Sequence, residues 1–281
     1  MRYVRVKNFD LKTTLDCGQT FSWIREGEGY VNADIGQVVY IEQHDDRLYY
    51  ETSSGPANLK DLLRLDDPID EINSELLKDD LMRESIEYSD GMRIISDPFY
   101  TCLVSFLLST WSNIPRIRKH MRDIREIYGP TYDFRGKIYY GMPAPEILGE
   151  VDVKELKQLG LAWRAEFISQ STKKITSGEI SKEELVELDY EAAHKRLQML
   201  HGVGTKVADC VCLFTLGFLE AFPIDVWIER VIQQHYGLFT ELGRSYAKKS
   251  QAARNYFGRY AGYAQEYLYH YTRSSNKKWK S

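Results

Sequence analysis

The sequence predicts an α+β protein: an antiparallel, β-rich N-terminal domain over residues 1–90, followed by an all-α domain over residues 91–281. Three observations point there. The first fifty residues alternate apolar and polar positions, with breaks at turn dipeptides. From about residue 59 the apolar residues recur at three- and four-residue steps instead. At 281 residues the chain exceeds what one ordinary core organises, so two units are the default.

The alternating segments 3–9, 30–35, 38–43 and 47–51, with Gly36-Gln37 and Asp45-Asp46 between the later ones, predict a meander of antiparallel strands. Leucines and isoleucines from 59 through 86 then line one side of acidic helices. Beyond Gly91 the pattern is helical nearly to the end. An apolar helix is expected over 99–110, and a basic amphipathic one over 115–128 with Arg116, Arg118, Lys119, Arg122 and Arg125. Further helices are expected over 162–177, 181–188, 190–200, 205–216, 225–236 and 247–271. Ser181 and Glu184 form a capping box, Asp225 suits the start of its helix, and the polar tail 274–281 is expected to fray.

Composition excludes some function classes. The longest nearly unbroken apolar run, around 102–111, is far shorter than the roughly 18–25 residues a membrane helix needs, so no membrane partner is expected. The first nine residues alternate charged and apolar types and lack the apolar core of a secretory leader. The four cysteines, Cys17, Cys102, Cys210 and Cys212, have no zinc-site spacing. These features predict a reduced, cytoplasmic setting, beside the nucleoid if the source is prokaryotic. The net charge of −4 is uneven: −10 over residues 1–90 and +6 over the rest. Charge alone leaves two readings level, a basic half that meets a polyanion or two ordinary solvated surfaces.

The most informative stretch is Leu200-His201-Gly202-Val203-Gly204-Thr205-Lys206. Two glycines flank one apolar residue between two helices, which allows a tight turn and close approach of another backbone. The helix starting at Gly204-Thr205 leaves N–H groups facing outward, an arrangement that suits phosphate. This resembles a helix-hairpin-helix, whose usual consensus is L-P-G-V-G, with His201 in place of the proline. By itself the motif implies sequence-independent contact with a DNA backbone through Gly202, Val203 and Gly204; a plain corner between two helices is the simpler alternative. Phe222-Pro223-Ile224-Asp225, whose aspartate stands nineteen positions after Lys206, ends an apolar stretch. Hairpin, lysine and Pro-x-Asp turn in that order resemble the HhH-GPD superfamily of DNA glycosylases.

Five further islands narrow the resemblance. Cys17-Gly18-Gln19-Thr20-Phe21-Ser22-Trp23 is similar to the S-G-Q-[ST]-F-x-W segment of 8-oxoguanine DNA glycosylases. Ser112-Asn113-Ile114-Pro115-Arg116-Ile117 resembles N-N-N-I-x-R-I, and Leu159-Gly160-Leu161-Ala162-Trp163-Arg164-Ala165 resembles L-G-L-G-Y-R-A. Thr205-Lys206-Val207-Ala208-Asp209-Cys210-Val211-Cys212-Leu213 is close to T-K-V-A-D-C-x-C-L, and Tyr260-Ala261-Gly262-Tyr263-Ala264-Gln265 to Y-A-G-W-A-Q. The islands keep their order over nearly the whole chain, and the family's β-rich domain ahead of its HhH-GPD helices accounts for the expected division.

The resemblance implies a bifunctional glycosylase and AP lyase acting on 8-oxoguanine in duplex DNA, expected as a monomer. Lys206 would be the nucleophile that forms a Schiff base, and Asp225 the carboxylate that stabilises positive charge at the sugar. An ordinary lysine, with a pKa of about 10.4, is neutral in only about one molecule in 2,500 at pH 7, so the site must remove its proton. Gly18 would offer its carbonyl to the N7–H that marks 8-oxoguanine, and Gln265 would bond the Watson–Crick edge. Cys210 and Tyr269 would lie on the two faces of the base. Asn113, Arg116, Trp163 and Arg164 would fill the gap left by the flipped base and read the base opposite. Trp111 and Ser112 replace two asparagines, which implies weaker discrimination among opposite bases, and Trp227 replaces a histidine. No cofactor is expected: no cysteine follows Cys212, so an iron–sulfur cluster has no ligands. A structural cation would sit on the backbone carbonyls of Gln198, Leu200 and Val203. Two alternatives remain at this point. One is another HhH-GPD specificity such as alkylated purines, whose monofunctional members lack the lysine. The other is a non-catalytic DNA-binding module.

Overall fold

The computed structural model describes residues 1–274, without the side chains of 238–240; the rest of the tail expected to fray lies outside the described residues. In chain order the elements are β1 (Arg2–Arg5), α1 (Leu11–Asp16), β2 (Trp23–Glu26), β3 (Gly29–Asn32), β4 (Val39–His44), β5 (Arg47–Thr52), α2 (Leu59–Leu62), α3 (Ile69–Leu76), α4 (Asp80–Tyr88), α5 (Phe99–Leu108) and α6 (Ile114–Tyr128). They continue with β6 (Thr131–Phe134), β7 (Lys137–Tyr140), α7 (Pro145–Gly149), α8 (Val153–Leu156), α9 (Arg164–Thr176), α10 (Lys182–Val186), α11 (Tyr190–Leu197), α12 (Thr205–Val211), α13 (Val226–His235), α14 (Tyr246–Phe257) and α15 (Ala261–Ser274).

Strands β1–β5 form one antiparallel sheet in the order β1-β5-β4-β3-β2. The expected meander is present, and an unexpected strand, β2, pairs at its edge. Pairing of Tyr30 with Ile41, and of Ile41 with Tyr50, puts these side chains on one face. There they pack with Trp23 and Leu48 against Leu11, Leu15, Leu59, Leu63 and Ile95. Val31, Val38 and Tyr40 lie in a second cluster with Tyr132, Phe134 and Tyr139 of the β6–β7 hairpin. That hairpin falls inside the segment expected to be wholly helical. Its turn, Arg135-Gly136, takes φ of +54° and +71°, as a two-residue hairpin loop requires. Arg135 stacks 3.9 Å from the Tyr40 ring centre and donates to Glu51, while the Tyr139 hydroxyl donates to Glu26 at 2.6 Å.

The division expected at residue 90 does not coincide with the packing. The β6–β7 hairpin joins the sheet, while Ile69 and Ile72 of α3 and Met82 of α4 join the helical core. Arg125, grouped above with the basic face of α6, is instead buried. Its guanidinium donates to both oxygens of Asp34 (2.9 and 2.6 Å) and to the Phe21 carbonyl (2.8 Å). Asp34 also accepts from the Met142 N–H, so one buried ion pair ties the sheet to α6 and to the segment after β7.

The helical part is built around α5, every residue of which is buried. The helix expected over 247–271 is two, α14 and α15, broken where Gly258 adopts φ +81°. Helices α7 and α8 occupy a stretch where none was expected. Helix α12 runs on through a wider π-type turn, Cys212–Leu216, to Gly217 at φ +82°. Ser181 does cap α10 through the Glu184 N–H, but the Glu184 carboxylate pairs with Arg196. Among the described residues no helix is long and apolar enough to cross a membrane.

Candidate active site

The hairpin between α11 and α12 has the predicted form. Gly202 sits at φ +81°, and a Cβ there would lie 2.3 Å from the Phe167 ring, so two separate constraints require glycine. Val203 is buried, whereas a Cβ on Gly204 would meet nothing within 4 Å, which leaves open space beside that backbone. The Leu200 carbonyl accepts from the Val203 N–H at 3.2 Å. One lone pair of that oxygen therefore remains for the cation suggested on Gln198, Leu200 and Val203. Among the described residues no cluster of three His, Cys, Asp or Glu side chains offers a metal site.

Lys206 is the second residue of α12. Its Nζ lies 3.4 Å from the Ser109 hydroxyl and 4.8 Å from the Phe106 ring centre, so both neighbours are neutral. One turn on, burial pushes the Cys210 thiol up to about 12, against the pull of Lys206. Asp225 caps α13: its Oδ1 accepts from the N–H groups of Trp227 (2.9 Å) and Ile228 (2.8 Å). Burial pushes this carboxyl above the usual range, while the Ile228 N–H, Lys206, the Trp227 N–H and Arg273 all favour its charged form.

Lys206 and Asp225 line one cavity of about 930 Å³. Gly18, Cys210, Gln265 and Tyr269 line the same cavity, as do Gly202, Gly204 and Asn113. Gly18 has φ +111°, and a Cβ there would stand 2.8 Å from Arg273 Nη1 and 3.5 Å from the Tyr269 ring. Its loop is held from behind. Gln19 Nε2 donates to the carbonyls of Thr14 and Arg93, its Oε1 accepts from the Ile95 N–H, and Thr20 donates to Asp97. In front, Arg273 donates to the Cys17 carbonyl at 3.0 Å and stacks on Tyr269. Gln265 is only 4% exposed, yet its Oε1 has no hydrogen-bond partner, which makes it an unsatisfied acceptor on the cavity wall.

The residues expected at the gap in the duplex divide into two sets. Asn113 caps α6 by accepting from the Arg116 N–H, and the Arg116 side chain is exposed. Trp163 is 48% exposed and Trp111, at φ +51°, is 87% exposed. Arg164, by contrast, is 3% exposed and does not extend outward. Its guanidinium donates to the carbonyls of Thr110 and Trp111 and lies 4.3 Å from the Trp163 ring centre. It holds the turn that carries Trp111 rather than facing solvent.

Phe106, Ser109, Glu266 and Arg273 are among the cavity residues that were not picked out from the sequence. A signal for two of them existed, because Glu266 and Arg273 stand three before and four after Tyr269 and so share its helix face. Glu266 is buried, and its hydrogen-bond partner is the Cys17 thiol at 3.8 Å. Burial, and then the charge of Asp225, push its carboxyl up to about 8, against the thiol, Lys206 and Arg273.

Comparison with known proteins agrees with this geometry. Residues 3–103 match the family described as 8-oxoguanine DNA glycosylase, N-terminal domain. A probable N-glycosylase/DNA lyase of Methanothermobacter thermautotrophicus is 29% identical over 222 residues, covering 71% of this chain and 69% of that protein. The structure of MBOgg1 in complex with a low affinity DNA ligand is 32% identical, with a TM-score of 0.89 over 96% of this chain and 94% of that one. The 8-oxoguanine glycosylase/lyase of Clostridium acetobutylicum, solved with double-stranded DNA containing cytosine opposite 8-oxoG, is 28% identical, with a TM-score of 0.88 over 97% and 98% of the two chains. Taken with a sheet followed by a helix-hairpin-helix core, and with a lysine and an aspartate that meet in one cavity, these likenesses show that the chain belongs to the 8-oxoguanine DNA glycosylases of the HhH-GPD type, with DNA glycosylase and AP lyase activity.

Proposed function

We propose that this chain excises 8-oxoguanine from duplex DNA by flipping the base into the cavity, attacking C1′ with Lys206 and cutting the strand by β-elimination. The observation that carries the reading is the convergence of Lys206 and Asp225, nineteen residues apart, on a cavity large enough for a nucleotide. Flipping costs a few kcal/mol, which contacts in the pocket must offset. The unpaired Gln265 Oε1 suits an N–H on the Watson–Crick edge, and Gly18, on the same cavity wall, would give its carbonyl to N7–H. Cys210 and Tyr269 supply the surfaces for the two ring faces.

As the glycosidic bond breaks, positive charge grows at the sugar, and Asp225 is the carboxylate placed to stabilise it. The Lys206 amine adds to C1′ and, after ring opening, the imine allows loss of the C2′ proton and departure of the 3′ phosphate. Outside the pocket, Gly202, Val203 and Gly204 would bear on the backbone, and Trp111, Trp163, Asn113 and Arg116 on the gap and the opposite strand. A hairpin cation would stiffen the turn. Lys206→Gln should abolish base release and borohydride trapping on an 8-oxoguanine duplex, while duplex affinity stays within a few-fold of wild type. Base release by that variant at the wild-type rate would refute the assignment. The same trapping on duplexes with each of the four opposite bases measures how far Trp111 relaxes the choice.

A further inference from the structure

We propose that Glu266 is the general acid of base release, donating its proton to the departing base as the bond from C1′ breaks. The inference rests on the reading of the cavity as a base-excision site. Two carboxyls share this cavity, and their surroundings differ. Asp225 lies at the N-terminus of a ten-residue helix and accepts two backbone N–H bonds, all of which favour the anion. Glu266 has no such support: it is 3% exposed, and its hydrogen-bond partner is one long contact to a thiol. A buried carboxyl without a cation in contact, close to a second carboxylate, keeps its proton. Burial raises both carboxyls, and of the two only Asp225 has backbone N–H donors to hold its anion, so the acid role falls to Glu266.

The placement suits the role. Glu266 follows Gln265 and precedes Tyr269 by three residues on α15, and it lines the same cavity as both of them and as Asp225 and Lys206, where the base and its bond to the sugar would meet. The groups facing it are Cys17 at the end of α1, Lys206 and Cys210 on α12, Asp225 before α13, and Tyr269 and Arg273 on its own helix. Burial and Asp225 raise its carboxyl to about 8, so at neutral pH most molecules carry the proton. In the step itself the C1′–N bond breaks and its electron pair goes to the base. The Glu266 O–H proton moves to the base, leaving a carboxylate, and the Lys206 nitrogen lone pair fills C1′. The carboxylate regains a proton from water before the next turnover.

The test is single-turnover release of 8-oxoguanine from a duplex between pH 6 and 9.5, set beside cleavage of a duplex holding a preformed abasic site, which has no base to protonate. Wild-type base release should fall above about pH 8. Glu266→Gln should slow release roughly 100-fold at pH 7 and abolish that descending limb, while cleavage of the abasic duplex falls far less. Cys17→Ala removes the thiol that favours the charged form, so its limb should move to higher pH. Base release by Glu266→Gln at the wild-type rate with the limb intact would overturn the inference. Equal loss of both steps, with an unmoved limb in Cys17→Ala, would overturn it too. A wild type that releases no 8-oxoguanine overturns the substrate reading and this inference with it, and that failure shows in the wild-type arm alone.

Discussion

Asp225 serves two functions with one side chain. Its Oδ1 caps α13 through two N–H groups, and its charge serves the sugar in the proposed chemistry. Asparagine keeps the capping oxygen and loses the charge, and the two residues cap helices about equally well. Asp225→Asn should therefore cut turnover roughly 100-fold or more, yet stay within about 1 kcal/mol of wild-type stability by thermal melting. Turnover near wild type would leave Asp225 as a cap alone. At this scale the sequence was legible where local backbone geometry marks a residue. Gly202 and Gly204 announce a hairpin, and the lysine and the Pro-x-Asp turn are placed by it. It was not legible where burial decides the role. The spacing puts Glu266 on the helix face of Tyr269 but does not show its burial beside Asp225, and nothing local shows that Arg164 turns inward to the Thr110 carbonyl. Both outcomes depend on neighbours far away along the chain.

Among the elements, the contact between sheet and helices that can be tested most directly is the Arg125–Asp34 pair. Both groups are buried, and each has a further backbone partner, Phe21 O for the arginine and Met142 N for the aspartate. Removing one member leaves a buried charge alone, which costs about 3–5 kcal/mol. Arg125→Ala should lose that much in urea unfolding, and Asp34→Ala with Arg125→Ala should lose less than the two singles added together. A loss below 1 kcal/mol for the single would show the pair to be dispensable. Neither residue could be paired from sequence, because a basic stripe on an amphipathic helix looks solvated until the bend after β3 that carries Asp34 is in place. The β6–β7 hairpin was missed for a similar reason. Its strands are four residues each, too short for a clear period, and they take their stability from tyrosines and valines of a sheet formed 90 residues earlier.

For the whole molecule, buried carboxyls set a pH dependence, Asp97 and Glu266 most clearly. Burial raises Asp97 to about 7 and Glu266 to about 8, both above their unfolded values near 4. A group raised on folding contributes its full stability below its unfolded pKa and loses it as pH climbs through the folded one. The urea midpoint should therefore fall between pH 5 and pH 9. Glu266→Gln should flatten that decline by an amount on the order of a few kcal/mol. A midpoint that rises with pH over this range, equally in both proteins, would contradict the burial of these groups. The α+β class and the order of its two parts were legible at this scale, because period-two and period-3.6 patterns occupy different stretches of the chain. The way the parts share cores was not, since periodicity says which face is apolar and nothing about what covers it.

That sharing has a consequence for how the molecule is made. The strands bearing Val31, Val38 and Tyr40 leave the ribosome long before Tyr132, Phe134 and Tyr139, the aromatic side chains that close over them. Until residue 140 has emerged, a nascent sheet presents an oily flank to the cell. A fragment cut at residue 103, where the recognisable N-terminal module stops, would keep that flank uncovered and be prone to clump rather than stand as an independent building block.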